Sequence, residues 1–590
     1  MKRHTLFSFM AILVVFSMAL ASCAPAATPT SAPAPTEAPA APQPTTAPAP
    51  TEAPMATSAP APTEAPAVSF TPLKLAAPDC KYGTSDVPAQ IKSVEAVDQY
   101  TVKFTLCQPD PAFLSKIAFT SNNIAPKDFL DKNGGDTVKM SDQPDGTGPY
   151  MLKEWIRGDH ITMEANPNYW GPAPKIKTII FRWSEQSAQR LLELQSGTVD
   201  GIDNPAPEDF DKIQADSNLT LYPRTALNIF YIGFNNTMPP FDKENVRQAF
   251  AMAIDKQRII DNFYPKGSQV AEQFLQTPIK PGYTEGLKWY PYDKAAAKKA
   301  IADAGLAGTT VTLSFRNVVR AYLPTPDKVA ADIQAQLKEV GVNVKLEQME
   351  SAAFIDATTA GKKAFYLLGW NDDYPDATDL FDYHFGNANN KQFGNLFPDI
   401  VSEIKAGGST ADPAVRQQHY DKVNELLKQH VPMIPVAYGG SATVFKSNVK
   451  GGHASPLGNE LFYVLDNGSD QFVWMQNGEP ASLFCSDEED GETIRACIQM
   501  YESLLSFKVG GTEVEPALAE KWDANSDLTE WTFHLRKGVK FFDGSEMSAN
   551  DVVASFTAQW DAKDPNHKGR TGTFTYFGAL FGANLNAPAK

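Results

Sequence analysis

The segment VAADIQAQLKEVGVNVKL, residues 329–346, decides the class of fold. From Val329 to Val340 its apolar residues recur at the spacing of one buried helix face. Gly341 follows where a helix commonly ends, and the residues after it alternate apolar and polar side chains, as a half-buried strand does. Helix, glycine and strand in this order are typical of the crossovers of α/β proteins.

Two further segments show the same two periodicities. Helical spacing is carried by Val246, Ala249, Phe250, Ala253 and Ile254. Residues 531–535 alternate apolar and polar side chains, which is the pattern of a strand with one face buried. The sequence therefore predicts a mixed α/β protein.

The N-terminus has the pattern of a secretory signal. Lys2 and Arg3 precede an apolar run over residues 6–20, which is too short for a typical spanning helix. The ending Leu-Ala-Ser-Cys resembles the bacterial lipobox, in which Cys23 is lipidated and becomes the mature N-terminus. We therefore expect a lipoprotein signal peptide at residues 1–22; the alternative is an ordinary signal with a chance cysteine.

Residues 23–67 are rich in Ala, Pro and Thr. The string APAPTEAP occurs three times, at 32–39, 47–54 and 59–66. Such a segment has little to bury and cannot offset the entropy cost of ordering. Frequent proline favours extended polyproline II, so we predict a disordered, semi-rigid stalk between the lipid and the folded body.

The remainder of the chain has the composition of a large folded protein. Aromatic residues make up 11% of the 590 residues and charged residues 21%, and this length predicts at least two lobes. The net charge of −17 argues against a nucleic-acid partner, because phosphate binding needs clustered Lys and Arg. No second apolar run is long enough to span a membrane, so the N-terminal lipid alone would hold the protein there.

Four cysteines remain once Cys23 is set aside: Cys80, Cys107, Cys485 and Cys497. In an oxidising compartment they can pair in three ways. Closeness in sequence favours pairing the first with the second and the third with the fourth. The alternatives are four free thiols or a zinc site, although the spacing lacks paired C-x-x-C ligands.

Enzyme motifs are scarce. The chain has no H-E-x-x-H, no G-x-S-x-G and no P-loop, and its eight histidines are scattered. The glycine-rich residues 146–149 end in proline, which predicts a tight turn and not a phosphate-binding loop. We expect no enzyme activity, cofactor or metal, although carboxylates distant in sequence leave catalysis by a carboxylate pair open.

Several motifs together resemble one family, the extracytoplasmic solute-binding proteins of ABC importers in the peptide/nickel/oligopeptide class (family 5). They are GTGPY at 146–150, NPNYWG at 166–171, LQSGTVD at 194–200, FD at 241–242 with VRQA at 246–249 and AID at 253–255, PALAE at 516–520, and LRKGVKFFDG at 535–544. Each is weak alone, but the set spans most of residues 81–580.

The order of these motifs departs from the family. Residues 516–544 resemble the beginning of such proteins, whereas residues 90–460 resemble their middle and end. We interpret this as a circular permutation, with the usual termini joined near Asn467-Gly468 in a hairpin turn. Permutation requires neighbouring ends, so residues near 81 and 580 are predicted to lie close together. A disrupted tandem gene or an assembly artefact is the alternative.

The resemblance implies a two-lobed α/β fold of the periplasmic-binding-protein (Venus flytrap) type, with mixed sheets, a hinge and a ligand cleft. We expect the first lobe to contain residues 71–235 and 446–590. The second lobe is then residues 236–445, entered at Asn235-Asn236-Thr237.

The resemblance also implies ligand-binding residues in the stretch GWNDDYPD, residues 369–376. In peptide-binding relatives a W-x-x-D motif supplies an aspartate for the peptide α-amine, and here it matches Asp373. A carboxylate in a water-poor cleft favours an ammonium group, and Trp370 and Tyr374 would add apolar or cation–π walls. The alternatives are a solvated acidic loop or calcium binding, although the D-x-D-x-D-G pattern is absent.

A second anchor is implied for the carboxylate end of a peptide. The stretch RAYLP at 320–324 resembles an R-x-Y-x-P motif that supplies an arginine in dipeptide-binding relatives, and here it matches Arg320. A planar guanidinium meets a carboxylate through two hydrogen bonds. Arg320 as a plain surface charge, with Arg316 in its place, is the alternative.

The implied function is capture of short peptides and their delivery to the permease subunits of an ABC transporter. The alternatives are binding of an oligosaccharide or another solute, a nickel or haem role, a peptide sensor without transport, and a secreted enzyme. We expect a monomer anchored by its lipid outside the cytoplasm, in a periplasmic space or on the outer face of the cytoplasmic membrane.

Overall fold

The computed structural model describes residues 70–83, 88–386, 390–570 and 572–587. The predicted signal peptide, the lipidation site Cys23 and the predicted stalk lie outside the described residues. Within the described part of the chain, no helix has both the length and the apolar character needed to cross a membrane.

The first lobe is built on two sheets. Its five-stranded antiparallel sheet has the order β1 (Lys74–Ala76), β2 (Ile91–Asp98), β3 (Thr101–Leu106), β20 (Glu530–Leu535) and β19 (Ala519–Ala524). Its seven-stranded mixed sheet has the order β4 (Tyr150–Ile156), β5 (His160–Ala165), β6 (Thr178–Trp183), β16 (Gln471–Gln476), β7 (Gly201–Asp203), β15 (Ser441–Lys446) and β8 (Leu219–Arg224). A hairpin, β17 (Leu505–Phe507) and β18 (Val514–Pro516), completes its strands.

The helices of the first lobe come from both ends of the described chain. They are α1 (Phe113–Ala118), α2 (Lys127–Asn133), α3 (Thr137–Asp142), α4 (Ser187–Ser196), α5 (Phe210–Ala215), α14 (Gly491–Cys497), α15 (Ala549–Trp560) and α16 (Thr575–Phe581). The apolar faces of strands β3 and β20 pack on α15, as shown by the edge-to-face contacts of Phe104 with Phe533 and Phe556. This packing encloses the core of the first lobe.

The second lobe has one six-stranded mixed sheet. Its order is β10 (Gln269–Val270), β14 (Met433–Tyr438), β9 (Asn228–Phe234), β13 (Phe365–Asn371), β11 (Thr310–Arg316) and β12 (Asn343–Met349). Its helices are α6 (Glu244–Ala253), α7 (Lys256–Phe263), α8 (Lys294–Asp303), α9 (Pro326–Glu339), α10 (Ser351–Thr359), α11 (Ala377–Phe381), α12 (Pro398–Gly408) and α13 (Pro413–His430). A separate apolar core, with Phe234, Phe241, Phe250 and Phe365 in mutual contact, holds these elements together.

The mixed α/β prediction is confirmed, and so are the helix and strand that led to it. Helix α9 ends next to Gly341, whose φ of 95° favours glycine, and β12 then runs parallel to β11. The predicted stripe at Val246–Ala253 is the buried face of α6, although Ile254 lies one residue beyond the helix end.

The boundaries predicted between the lobes are wrong by several residues. Strand β8 ends the first lobe at Arg224, and β9, which belongs to the second sheet, begins already at Asn228. On the return, β14 ends at Tyr438 and β15 rejoins the first lobe at Ser441. The segments that join the lobes are therefore 225–227 and 439–440, because β9 is a wholly buried central strand and Asn235-Asn236 is only the loop after it.

Residues near 81 and 580 lie together, as predicted. The backbone N–H of Ala583 donates to the carbonyl of Pro88 at 3.1 Å, and the Tyr82 ring lies 5.9 Å from that of Trp560. The predicted hairpin at Asn467-Gly468 is wrong, because β16, the strand that follows, pairs in parallel with β6 and β7. The circular permutation remains our interpretation of the motif order.

Candidate ligand-binding cleft

The two lobes face each other across a cavity of about 690 Å³. This volume is in the range of small-molecule sites, roughly 300–1,000 Å³. Its walls come from the ends of β13 and β11 in the second lobe, from residues 489–495 and Tyr576 in the first, and from the joining segments. A ligand in this cavity would contact both lobes.

Side chains brace the two segments that join the lobes. The amide of Asn228 exchanges two hydrogen bonds of 2.8 Å with the backbone of Gly439. Beside them, Arg224 Nη1 donates to Ser441 Oγ at 2.9 Å. Gly439 is needed here, because a Cβ at this position would lie 2.0 Å from the carbonyl oxygen of Ala321, in the loop that carries Arg320. The hinge thus touches the cavity wall directly.

Asp373 lies on this wall, two residues after β13. Its carboxylate is half-buried, and Oδ1 accepts a hydrogen bond of 2.9 Å from the hydroxyl of Tyr576, across the cleft. Burial raises the pKa of Asp373 to about 7; the bond from Tyr576 opposes this shift and the charge of Glu489 adds to it. No Lys or Arg of the described residues pairs with this carboxylate.

Two further carboxyl groups surround Asp373. Asp372 is 5% exposed and lines the cavity; its Oδ1 accepts from Gln276 Nε2 at 2.9 Å, whereas Oδ2 has no hydrogen-bond partner among the described residues. Asp379 is also buried, and its Oδ2 accepts from the backbone N–H of Asp373 at 3.0 Å. Burial raises the pKa of both side chains well above the usual range. None of these three carboxyl groups forms an ion pair with a Lys or Arg of the described residues.

Trp370 also lines the cavity, where it forms part of an aromatic group. Its ring lies 4.5 Å from that of Tyr383 and 5.1 Å from that of His384. His384 bonds to the carbonyl of Leu380 through Nδ1 at 2.8 Å, and burial lowers its pKa to about 3, so the ring is neutral. Sequence reasoning missed Tyr383 and His384; the dense aromatic stretch at 381–385 was the available signal.

Tyr374 is not on the cavity wall, which corrects the prediction. Its side chain is 4% exposed and packs in the core of the first lobe, with Lys116 Nζ 5.7 Å from the ring centre. Its hydroxyl lies 3.2 Å from Thr378 Oγ1. Tyr374 thus packs in the first lobe whereas Asp373 lines the cavity, and Tyr374 serves as a contact between the lobes.

Arg320 and Arg316 also line the cavity. Arg320 is exposed, and its Nη1 donates to the carbonyl of Val319 at 3.0 Å. Arg316 is half-buried, with Nη1 bonded to Ser351 Oγ at 2.8 Å and Nη2 to the hydroxyl of Tyr322 at 3.0 Å. The structure thus brings both arginines to the cavity that holds Asp373.

The first lobe contributes a buried charge network that sequence reasoning missed. Glu460 is fully buried and accepts from Arg224 Nη2 and from Arg495 Nε, each at 2.7 Å. Arg495 also pairs with Asp203 at 3.2 Å, and Arg190 lies on the other side of that aspartate. The two arginines beside Glu460 hold its pKa at about 2, against the opposing effect of burial. The members are far apart in sequence, so spacing carried no signal.

The four predicted disulfide candidates are paired. Cys80 is bonded to Cys107 and Cys485 to Cys497. The second bond ties a 3₁₀ turn to the end of α14, and residues 489–495 between them form part of the cavity wall. Among the described residues, no group of three or more His, Cys, Asp or Glu is arranged to hold a metal ion.

The chain resembles a known protein family and several individual known proteins. The family model described as bacterial extracellular solute-binding proteins, family 5 middle, matches residues 58–392 and 513–578. Di/tripeptide-binding protein 1 of Pseudomonas aeruginosa is 30% identical over 388 residues, which are 64% of this chain and 72% of that protein.

Two solved structures share the architecture. HbpA2 from Haemophilus parasuis superposes with a TM-score of 0.57 at 29% identity, over 64% of this chain and 76% of that one. The dipeptide-binding protein of Pseudoalteromonas sp. SM9913, in complex with Met-Leu, gives a TM-score of 0.56 at 25% identity, over 62% of this chain and 74% of that one.

Proposed function

Since the chain belongs to the bacterial extracellular solute-binding proteins of family 5, we propose that it captures short peptides between its lobes and delivers them to an ABC permease. The relatives named for peptide binding support this choice of solute. No covalent chemistry is involved, because capture needs only a cleft, complementary charges and a hinge.

The observation that carries the proposal is the unpaired carboxylate of Asp373. It lies half-buried in the cavity, next to Asp372, and no cation of the described residues neutralises it. An ammonium group supplies the missing charge and donates charge-assisted hydrogen bonds, which are strong where water is excluded. A peptide N-terminus carries that group, and Trp370 offers an apolar wall beside it.

The same cavity also carries the opposite charge. Arg320 is our proposed partner of the peptide carboxylate, and the guanidinium of Arg316, held by Ser351 and Tyr322, lines the cavity as well. Anchors of opposite sign in one cavity select peptides of limited length with both termini free. Side chains in between can vary, because only the termini are fixed.

Closure follows from contacts to both lobes. A ligand that touches Asp373 and the first lobe makes its second set of contacts only in the closed form, so its binding shifts the population toward closure. We propose that the closed form then docks on the permease as a monomer. Lipidation at Cys23 and a stalk at 23–67 would keep the receptor outside the cytoplasm and near that permease.

Thermal unfolding of the full-length protein tests the proposal. The panel contains alanine di- to pentapeptides, the same peptides N-acetylated or C-amidated, and oligosaccharides. A peptide at a hundred times its dissociation constant stabilises the fold by about 2.7 kcal/mol. We expect stabilisation by free peptides and its loss on acetylation in the native protein, and no distinction between the two forms in Asp373→Asn. A response to sugars alone would contradict peptide capture.

A further inference from the structure

A run of four acidic residues lies at 487–490, and two of them, Glu489 and Asp490, line the cavity from the first lobe. Three of them have structural partners: Asp487 Oδ1 accepts from the backbone of Phe574 at 3.0 Å, Glu488 pairs with Arg570 at 2.7 Å, and Asp490 Oδ1 accepts from the backbone of Thr493 at 2.8 Å. Glu489 is the exception. Its side chain is exposed at the cavity, and no described residue forms an ion pair or hydrogen bond with it.

Glu489 and Asp373 line the same cavity from opposite lobes. Tyr576 lines the cavity from the same lobe as Glu489, and its hydroxyl bonds directly to Asp373. Burial is the main cause of the raised pKa of Asp373, and the charge of Glu489 adds to it. Like charges on opposite walls of one cavity repel each other.

An independent observation at this cavity is a buried carboxyl oxygen without a hydrogen-bond partner. Asp372 is buried to 95% of its surface, lines the cavity, and leaves its Oδ2 without a hydrogen-bond partner in the described chain. A buried carboxyl oxygen without a hydrogen-bond partner costs free energy. A cationic donor in the cavity would satisfy this oxygen and relieve the repulsion between the lobes at the same time.

We infer that Glu489 and Asp373 form a two-carboxylate clamp, one jaw on each lobe, that closes on the ammonium group of the ligand. The inference rests on the proposed function and deepens it, because it makes a positive charge the condition for closure. Without a cation the jaws repel each other; with an ammonium between them, each lobe is attracted to the same charge. The clamp therefore favours free N-termini and rejects blocked ones.

An ammonium group suits this clamp better than a divalent metal. Calcium takes about six to eight oxygen ligands, whereas the described residues contain no group of three or more side chains suited to a metal. We therefore name a primary ammonium as the occupant, and calcium binding becomes an outcome of the test.

Calorimetric titration of the full-length protein with the alanine peptides, free and acetylated, tests the clamp. We compare the native protein with Glu489→Gln and with Glu208→Gln, which removes an equal charge from an exposed glutamate elsewhere on the same cavity wall. Glu489→Gln should weaken binding of free peptides about tenfold, equivalent to one 1.4 kcal/mol step. Binding of acetylated peptides, and all binding by Glu208→Gln, should change less than about twofold.

If Glu489→Gln binds free peptides as the native protein does, the clamp is overturned while peptide capture stands. If the native protein binds free and acetylated peptides equally, the clamp and the amine anchor at Asp373 are overturned; if it binds neither, peptide capture fails as well. If calcium alone stabilises the native protein but not Glu489→Gln, the occupant is a metal and the inference is overturned.

A second variant, Glu489→Lys, guards against a simple folding defect. The ammonium of the new side chain would lie between the two lobes in place of the ligand. Small-angle X-ray scattering of this variant without peptide should therefore show a more compact particle, and its affinity for free peptides should fall. An open particle with native affinity would contradict the clamp.

Discussion

The hydroxyl of Tyr576, on the last helix of the first lobe, donates a hydrogen bond of 2.9 Å to the carboxylate of Asp373, in the second lobe. This bond occupies one oxygen of the proposed amine anchor and joins the two lobes across the cleft. It also lowers the pKa of Asp373, against the larger effect of burial. The tyrosine thus favours the ionised form of the anchor, against burial, which still raises its pKa to about 7.

Replacing Tyr576→Phe should weaken binding of free peptides about three- to tenfold at pH 7, because Asp373 loses the donor that favours its charged form. The loss should shrink at pH 8.5, where the carboxylate ionises without help. Calorimetric titration at both pH values measures this. Tyr383→Phe is the control, since Tyr383 lines the same cavity but makes no bond to Asp373; an equal loss in the control would contradict the prediction.

Peptide affinity should depend on pH through Asp373. Its pKa of about 7 means that protons compete with the peptide amine below neutrality, so affinity should fall about tenfold for each pH unit below about 7. Above about pH 8 affinity should fall again, as the peptide amine itself loses its proton. Asp373→Asn should abolish the acidic limb; its persistence in that variant would assign the limb to another group with a raised pKa, such as Asp372 or Asp379.

The free energy of unfolding should show the opposite trend in the absence of ligand. A carboxyl whose folded-state pKa is raised binds its proton more tightly in the folded protein than in the unfolded chain. Stability contributed by Asp373 is therefore lost as pH rises from about 4 to about 7.

Replacing Glu460→Ala should destabilise the protein by about 3–5 kcal/mol, because two buried arginines lose their counter-charge. Denaturant unfolding measures this change. Glu513→Ala is the matched control: it also breaks an ion pair, with Lys508, but both partners are exposed, and less than about 1 kcal/mol is expected. A small effect at Glu460 would show that the network contributes little.

Replacing Gly439→Ala should lower the free energy of unfolding by about 1–3 kcal/mol, because the new Cβ would push against the backbone of Ala321. The same contact should displace the loop of Arg320, so binding of peptides with a free carboxylate should weaken. Gly440→Ala is the control; there the nearest atom is the flexible Ser268 Oγ at 3.1 Å. Melting temperature and titration with free and C-amidated peptides test both variants. Equal behaviour of the two glycines would refute this role of the hinge.

Local periodicity was enough to predict the regular elements. Helix α9 and strand β12 are each formed by one continuous segment that buries one face. The spacing of apolar residues over Val329–Val340 and the glycine after it therefore predicted both elements. The position of Asp373 also followed from its local motif. What the pattern around residues 369–376 did not reveal is the direction of each side chain, and Tyr374 turned out to face the first lobe.

The rest of the site depends on contacts between distant parts of the chain. Tyr576 is separated from Asp373 by 203 residues, and Glu489 reaches the cavity because a disulfide and three structural partners fix its neighbours. Four consecutive acidic residues carry no sign of which one lacks a partner. Tertiary packing alone decides this.

The pairing of β8 with β15 places Arg224 directly opposite Ser441. The second lobe is therefore an insertion between two paired strands of the first lobe, and its two ends lie side by side where those strands end. A short turn grafted between these two residues would close the gap and excise residues 225–440 without breaking a strand of the first lobe. The half that remains would keep Glu489, Tyr576 and both disulfides, and would be a receptor with one jaw.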